Sequence, residues 1–175
     1  MNLMSTLHEI GTAVRTRRTE MGLTQDALAR ISGLSRSTIH SVEKHTIGNL
    51  SIEKAERLLE SIGLSMRVTP ADASRKPRPS RQPPGRTALE RAALSASVSY
   101  STSLTARALE SALLTGVAPE AIKPHLQVLL DEAPMSLLAK VVDELHLKNG
   151  IEPAQVWRRM RRLAQDLQCF RAVWR

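Results

Sequence analysis

Cysteine, aromatic residues and long apolar runs are all scarce in this sequence. The single cysteine, Cys169, cannot form an internal disulfide or a thiolate metal cage by itself. We therefore expect it to be an ordinary small apolar residue. Only four of the 175 residues are aromatic. No apolar run reaches the roughly 18 residues that a membrane span needs, and no basic-then-apolar leader with a small-residue cleavage site is present. We therefore expect a cytoplasmic protein without membrane contact.

The patterns that mark catalytic and metal sites are missing as well. The five histidines show no metal-ligand spacing with acidic residues or with the cysteine: His8, His40, His45, His125 and His146. The sequence contains neither a glycine-rich phosphate loop nor a nucleophile elbow. We expect no enzyme activity, no bound metal and no other cofactor.

Positive charge, in contrast, is abundant. Twenty-five Lys and Arg residues against seventeen Asp and Glu give a formal net charge of +8 and a sequence pI of about 10.5. Such a balance favours an anionic partner, and nucleic acid is the first candidate.

The sharpest change in composition lies between Thr69 and Arg86, in TPADASRKPRPSRQPPGR. Five prolines stand there among five basic residues, and prolines at this density block helix and sheet hydrogen bonding. We interpret residues 70–86 as a disordered basic linker that spans up to roughly 50 Å at about 3.1 Å per residue. Its basic residues are either simply solvated, or they add phosphate contacts or enter a minor groove: Arg75, Lys76, Arg78, Arg81 and Arg86. Two folded domains are thus predicted, at residues 1–69 and 87–175.

Residues 1–69 have the periodicity and the capping residues of successive short helices. Apolar stripes mark the first, third and fourth helices: Leu7, Ile10, Val14 and Met21, then Ile39 and Val42, then Ile52, Ala55, Leu59 and Ile62. Thr24, Ser35 and Ser51 are suited to cap the second, third and fourth helices. Gly33 suits the left-handed conformation of a tight reversal between two helices.

Residues 87–175 also predict helices, which makes the fold class all-α with a C-terminal helical bundle. Thr87 and Glu90 form a capping-box pattern. Further helices are expected near residues 104–114, 124–132, 134–147 and 153–170, three of them with a proline in the first turn. Residues 94–101 fit a short strand as well as a frayed helix. The last helix carries an apolar stripe that indicates bundle core, or alternatively a surface for a partner helix: Val156, Met160, Leu163, Leu167 and Phe170.

The stretch GLTQDALARISGLSRSTIHSVEK, from Gly22 to Lys44, resembles the Xre or phage-repressor type of helix-turn-helix domain. The stretch predicts two short helices around a three-residue turn that contains glycine. In a basic chain, this arrangement places the second helix in the DNA major groove. The resemblance extends from about Leu7 to Leu64. It implies an N-terminal domain of four to five helices that binds double-stranded DNA.

Candidate DNA contacts follow from the face of the third helix opposite Ile39 and Val42. Four side chains on that face are candidates to contact base edges: Arg36, Ser37, His40 and Ser41. Arg36 is the strongest of them, because a guanidinium donates two hydrogen bonds to guanine O6 and N7. Thr38 and Lys44 are assigned to backbone phosphates. Plain solvation is the alternative for each.

The resemblance implies two further roles in this segment. Gln25 is expected to contact a phosphate and to buttress the recognition helix, and its alternative is an ordinary polar residue in the first turn. Arg18 and Glu43 match the positions of a partly buried ion pair between the first and third helices, a structural role.

One helix-turn-helix covers few bases, so a homodimer on a palindromic operator is expected, with half-sites roughly 34 Å apart. Leu64, Met66 and Val68 alternate with polar residues and resemble the short strand that pairs between subunits in antitoxins of the HipB kind. An extended exit into the linker explains the same residues.

These features lead to a functional hypothesis and a rival. The first is a transcriptional repressor that is also the antitoxin of a type II toxin–antitoxin system, regulates its own operon and holds a cognate toxin with its C-terminal domain. The rival is a stand-alone, phage-type regulator whose C-terminal domain oligomerises or senses a ligand. A structural protein that uses DNA only as a scaffold is a third class.

Overall fold

The computed structural model describes residues 3–67, 85–98 and 100–175. Within these ranges the chain forms nine α-helices and two short 3₁₀ turns, and no β-strand. The all-α prediction is therefore confirmed. None of the described helices is both long and apolar enough to cross a bilayer.

The N-terminal segment, residues 3–67, contains four helices. They are α1 (Leu3–Glu20), α2 (Gln25–Ser32), α3 (Arg36–Glu43) and α4 (Ile52–Ser61). The predicted caps are confirmed, since Thr24, Ser35 and Ser51 each accept a hydrogen bond from the backbone N–H three residues later. Gly33 ends α2 in the left-handed conformation, with φ of 66°.

One residue of the apolar stripes predicted for residues 1–69 is exposed and not buried. Ala55, Leu59 and Ile62 are buried as expected, but the Ile52 side chain is 72% exposed. Ile52 is the first residue of α4, and it is exposed together with the next two residues of that helix, Glu53 and Lys54. Leu58, which the stripe omitted, is fully buried instead.

The C-terminal segment, residues 85–98 and 100–175, contains five helices. They are α5 (Ala88–Ser97), α6 (Ala106–Thr115), α7 (Lys123–Glu132), α8 (Met135–Asn149) and α9 (Pro153–Asp166). Two 3₁₀ turns, Glu120–Ile122 and Ala172–Trp174, complete the segment. The capping box between Thr87 and Glu90 is present. Of the two alternatives for residues 94–101, the helix is observed through Ser97, and Ser99 lies outside the described residues.

The last helix is shorter than the predicted range 153–170. Its core stripe is confirmed at Val156, Met160 and Leu163, which are buried. Leu167 is half-buried and packs against the same core, and the stripe ends with it, because α9 ends at Asp166 and Gln168 takes a left-handed conformation with φ of 56°. Phe170 is consequently 74% exposed rather than part of the bundle core.

The two segments lie against each other. α1 contacts α9, α4 contacts α8, and α2 contacts the 3₁₀ turn Ala172–Trp174. Buried side chains from both segments form one continuous cluster. Residues 68–84, most of the predicted linker, lie outside the described residues, and the division at 69 and 87 stays a prediction.

Candidate nucleic-acid interface

A helix pair with a three-residue turn forms the centre of the N-terminal segment. The turn between α2 and α3 consists of Gly33, Leu34 and Ser35, and the Leu34 N–H donates to the Ala29 carbonyl at 3.0 Å. α3 packs on α1 and α2. Its inner face is apolar, and both residues predicted to point inward are buried: Ile39 and Val42.

An ionic network around Glu43 holds α3 in place. Arg18 Nε donates to Glu43 Oε1 at 2.6 Å, and Arg18 Nη2 donates to Oε2 at 3.0 Å. Gln25 Nε2 donates to Glu43 Oε2 at 2.9 Å, so one carboxylate connects α1, α2 and α3. Arg18 Nη1 also donates to the Leu23 carbonyl at 2.7 Å. Charge-assisted hydrogen bonds of this kind fix the orientation of α3 on the two helices behind it.

The same network keeps Glu43 ionised. Burial alone raises the pKa of this carboxyl, but the hydrogen bonds from Arg18 and Gln25, together with the charges of Arg18 and Arg15, bring the pKa below its ordinary value of 4.5. Glu43 is thus a buried anion with strong partners, and its position supports a structural role.

Gln25 has a position that fits one half of its expected role. Its side chain is half-buried and bridges to Glu43, which buttresses the recognition helix. The amide nitrogen has two N–H donors, and the bond to Glu43 uses one of them. The contact of the remaining donor with a phosphate stays a prediction.

Arg36 and its neighbours lie at the start of α3. The Arg36 side chain is 68% exposed, with Nε at 3.7 Å from Asp26 Oδ1. Exposed pairs of this kind contribute little energy, so the guanidinium is free to exchange partners. The Ser37 and Thr38 hydroxyls each lie 2.8 Å from Ser35 Oγ. These two hydroxyls therefore already take part in the cap hydrogen bonds of α3.

The remaining candidate residues lie farther along α3. The side chains of His40 and Lys44 are exposed and that of Ser41 is half-buried. The Ser41 carbonyl accepts from the Thr46 N–H at 2.9 Å, which folds the chain back after the helix. The structure thus places the four base-contact candidates on one helix, and the DNA contacts themselves stay predictions.

A feature missed from the sequence is the contact between α1 and the end of α3. His45 has φ of 59° and stacks on His8 with 3.8 Å between ring centroids. Gly11 lies beneath this pair, where a Cβ atom would collide with the Val42 carbonyl and the His45 ring. No periodicity marks such a contact, and only the glycine within a long predicted helix hints at a close approach.

The residues of the proposed dimerisation strand are only partly described. Leu64 is half-buried and Met66 is exposed, in a stretch that is neither helix nor strand. Val68 lies outside the described residues. Pairing with a second copy stays a prediction.

Two observations on the described residues concern metal binding and thiol reactivity. No group of three His, Cys, Asp or Glu residues among them is placed to hold a metal ion. Burial, together with the nearby Asp131 carboxylate, raises the pKa of the Cys169 thiol to about 11. The thiolate, which is the reactive form, is therefore rare near neutral pH.

Comparison with known proteins gives a family match for the N-terminal segment. Residues 14–68, about a third of the chain, match the family model described as helix-turn-helix. No curated protein and no solved structure matches the chain. A domain of this family supports a DNA-binding transcriptional regulator. Together with the geometry of α2 and α3, the match identifies residues 14–68 as an Xre-type helix-turn-helix domain.

Proposed function

We propose that this protein is a sequence-specific transcriptional repressor that inserts α3 into the DNA major groove. The observation that carries the proposal is the accessible outer face of α3 within a matched helix-turn-helix domain. The C-terminal segment packs mainly on α1, α2 and α4, whereas α3 packs mainly on α1 and α2. A duplex can therefore approach α3 from the side opposite the C-terminal segment.

Base and phosphate contacts are divided between two sets of side chains. Arg36 contacts a guanine once it releases Asp26, and Ser37, His40 and Ser41 contact neighbouring base edges. Gln25, Thr38 and Lys44 bind phosphates and fix the register without selecting sequence. Dimerisation through Leu64, Met66 and Val68 places two such heads on a palindromic operator.

Gel-shift titrations of Arg36→Ala and Lys44→Ala test this division. The DNA is the fragment that the purified protein retains at physiological salt, beginning with its own promoter, together with point variants of that fragment. Arg36→Ala should lose about 1–3 kcal/mol of discrimination at one position in each half-site. Lys44→Ala should weaken binding to all sequences alike and reduce the slope of affinity against salt.

Arg91→Ala is the matched control, because Arg91 is an exposed arginine on α5, outside the helix-turn-helix domain. The affinity of the Arg91→Ala variant for the DNA should equal that of the wild type. Uniform loss in both Arg36→Ala and Lys44→Ala would refute the division of roles. Failure of the wild-type protein to bind any duplex in dilute buffer would refute the function itself.

A finer proposal is that this repressor is an antitoxin that neutralises a toxin through its C-terminal segment. In its support, that segment lies outside the helix-turn-helix match and exposes several large apolar side chains: Leu94, Val98, Leu147 and Phe170. Each of these side chains would remove apolar surface from water on contact with a protein partner. The test is to express the product of a neighbouring small open reading frame with and without this protein. The expected result is that the product kills cells when it is expressed alone and that co-expression of this protein prevents the killing.

A stand-alone regulator is the second candidate, and the packing of α8 and α9 on the helix-turn-helix domain favours it. A C-terminal segment in contact with the DNA-binding head is placed to transmit oligomerisation or ligand binding to that head. A protein that purifies without a partner and binds its operator at full affinity would support this candidate over the antitoxin.

A further inference from the structure

A cavity of about 550 Å³ lies between the two segments, on the side of α2 that faces the C-terminus. Arg30 on α2 and Arg57 on α4 line one wall, and Arg171 with the 3₁₀ turn Ala172–Trp174 lines the other. The volume falls within the range of about 300–1,000 Å³ that is typical of small-molecule sites. Nothing in the proposed DNA contacts uses these residues.

Three arginines line this cavity, and most of their guanidinium donors are unused. Arg57 Nη2 donates to Glu53 Oε1 at 2.7 Å, and Arg171 Nη1 donates to the Ala133 carbonyl at 2.5 Å. The Arg30 guanidinium has no hydrogen-bond or ion-pair partner within residues 3–67, 85–98 and 100–175. Since each guanidinium has five N–H donors, most of the donors remain available to an acceptor.

Arginines thus line the cavity on both sides of the boundary between the segments. Glu60 is the acidic residue among those described that line the cavity, while Glu53 and Asp131 lie beside Arg57 and Arg171. Burial lowers the pKa of Arg171, and the Asp131 charge only partly opposes this effect. The half-buried charge of Arg171 is thus costly, and an anion between the walls would stabilise it.

We propose that this cavity binds a small organic phosphate, whose phosphoryl oxygens bridge Arg30 and Arg57 on one wall to Arg171 on the other. A phosphate monoester carries about −1.5 to −2 charges and three strong acceptor oxygens near neutral pH, which suits three guanidinium groups better than a single carboxylate does. Glu60 then accepts hydrogen bonds from hydroxyl groups on the organic part. Occupancy ties the C-terminal segment to the helix-turn-helix domain.

Calorimetric titration of the full chain with glucose 6-phosphate and with inorganic phosphate, at constant ionic strength, tests the site. Glucose 6-phosphate should bind saturably with one site per chain and a Kd below about 1 mM. Arg30→Gln and Arg171→Gln should each raise that Kd at least about tenfold, because each removes charge-assisted hydrogen bonds. Arg91→Gln, an exposed arginine on α5, should leave it within about twofold.

Citrate, titrated in the same way, is the carboxylate control. Three results would overturn the proposal: no saturable binding of either phosphate probe, equal loss of affinity in Arg91→Gln, or tighter binding of citrate than of glucose 6-phosphate. The last would assign the cavity to carboxylates.

A second experiment needs no variant and therefore does not depend on whether a variant folds. The wild-type protein is modified with phenylglyoxal, which reacts with arginine. Glucose 6-phosphate should slow the modification of Arg30 and Arg171, mapped by mass spectrometry, and leave Arg91 unchanged. Equal rates with and without the probe would contradict the proposal. Neither experiment contains DNA, so the outcome is independent of the proposed repressor function.

Discussion

Both segments of this protein have a buried apolar core, and they differ in the polar contacts that are added to it. In the N-terminal segment, a buried carboxylate, Glu43, joins three helices through hydrogen bonds from Arg18 and Gln25. In the C-terminal segment, buried apolar side chains dominate, with Trp157 and Trp174 at 6.4 Å between ring centroids. Directional contacts fix the orientation of one recognition helix, whereas apolar packing fixes a shape without selecting a particular surface for function.

This difference explains why the family comparison matched only the first segment. A helix-turn-helix depends on particular residues at particular positions, here Gly33 in the turn and Glu43 at the end of α3. An apolar bundle accepts many combinations of residues of similar volume, so its sequence carries little information about family or function.

The largest effect should come from the C-terminal core. Trp157→Ala should lower the free energy of unfolding by about 4 kcal/mol, because a fully buried indole leaves a cavity. The Trp157 indole N–H has no partner among the described residues, so the loss is one of packing. Urea unfolding measures it, with the exposed Phe170→Ala as control, expected within about 0.5 kcal/mol of wild type. A loss below about 1 kcal/mol in Trp157→Ala would contradict the assignment of the core.

The network in the N-terminal segment should be the next most sensitive feature. Glu43→Gln should lower the free energy of unfolding by about 3 kcal/mol, because it leaves the charge of Arg18 without its buried partner. Glu53→Gln is the matched control: Glu53 also pairs with an arginine, but its side chain is 82% exposed. The control should change stability by less than about 1 kcal/mol. Equal losses in the two variants would show that burial of the pair is unimportant.

Acid should weaken the same network. The pKa of Glu43 is lower in the folded protein than its ordinary value of 4.5, so its contribution is fully present above pH 4.5 and is lost as the pH falls through the folded pKa. The difference in unfolding free energy between wild type and Glu43→Gln should therefore shrink on acidification. Glu110, whose pKa is lowered chiefly by a hydrogen bond from Lys148, titrates in both proteins and cancels. A difference that stays constant down to about pH 3 would contradict this linkage.

Features set by neighbouring residues could be predicted from the sequence. The caps at Thr24 and Ser35 depend on groups within three residues of each, so their sequence pattern suffices. Ile52 was misplaced because periodicity gives the face of a helix and not the point at which the helix enters the core. Contacts between residues far apart in the sequence could not be predicted, and Arg161 makes one of them. It contacts Met21, 140 residues away, and no local pattern encodes such a pair.

The boundary between the segments can be tested at Gly63, which follows α4. Gly63 has φ of 75°, and a Cβ atom there would lie 2.6 Å from the Met135 carbonyl oxygen. Gly63→Ala should therefore lower the unfolding free energy by about 2 kcal/mol, through backbone strain and collision with α8. Gly150→Ala is the control, since Gly150 has φ of 67° and nothing within 4 Å, and it should cost about 1 kcal/mol. Equal costs would show that α4 and α8 are not tightly packed at Gly63.

The smallest effect should come from Arg161, which connects α9 to the end of α1. Its Nη2 donates to the Met21 carbonyl at 2.6 Å and its Nη1 donates to the Gly22 carbonyl at 3.3 Å. A cation at the C-terminal end of a helix also interacts favourably with the helix dipole. Arg161→Ala should thus cost about 1 kcal/mol and speed hydrogen exchange of amides in the last turn of α1.

Arg162→Ala is the matched control for this last prediction, because Arg162 is exposed on the same helix. It removes the same charge from α9 and should leave exchange in α1 unchanged. If both variants speed exchange equally, net charge rather than the contact with Met21 holds the segments together. If neither variant speeds exchange, apolar packing between α1 and α9 is sufficient to hold the two segments together, and the hydrogen bonds of Arg161 add nothing measurable.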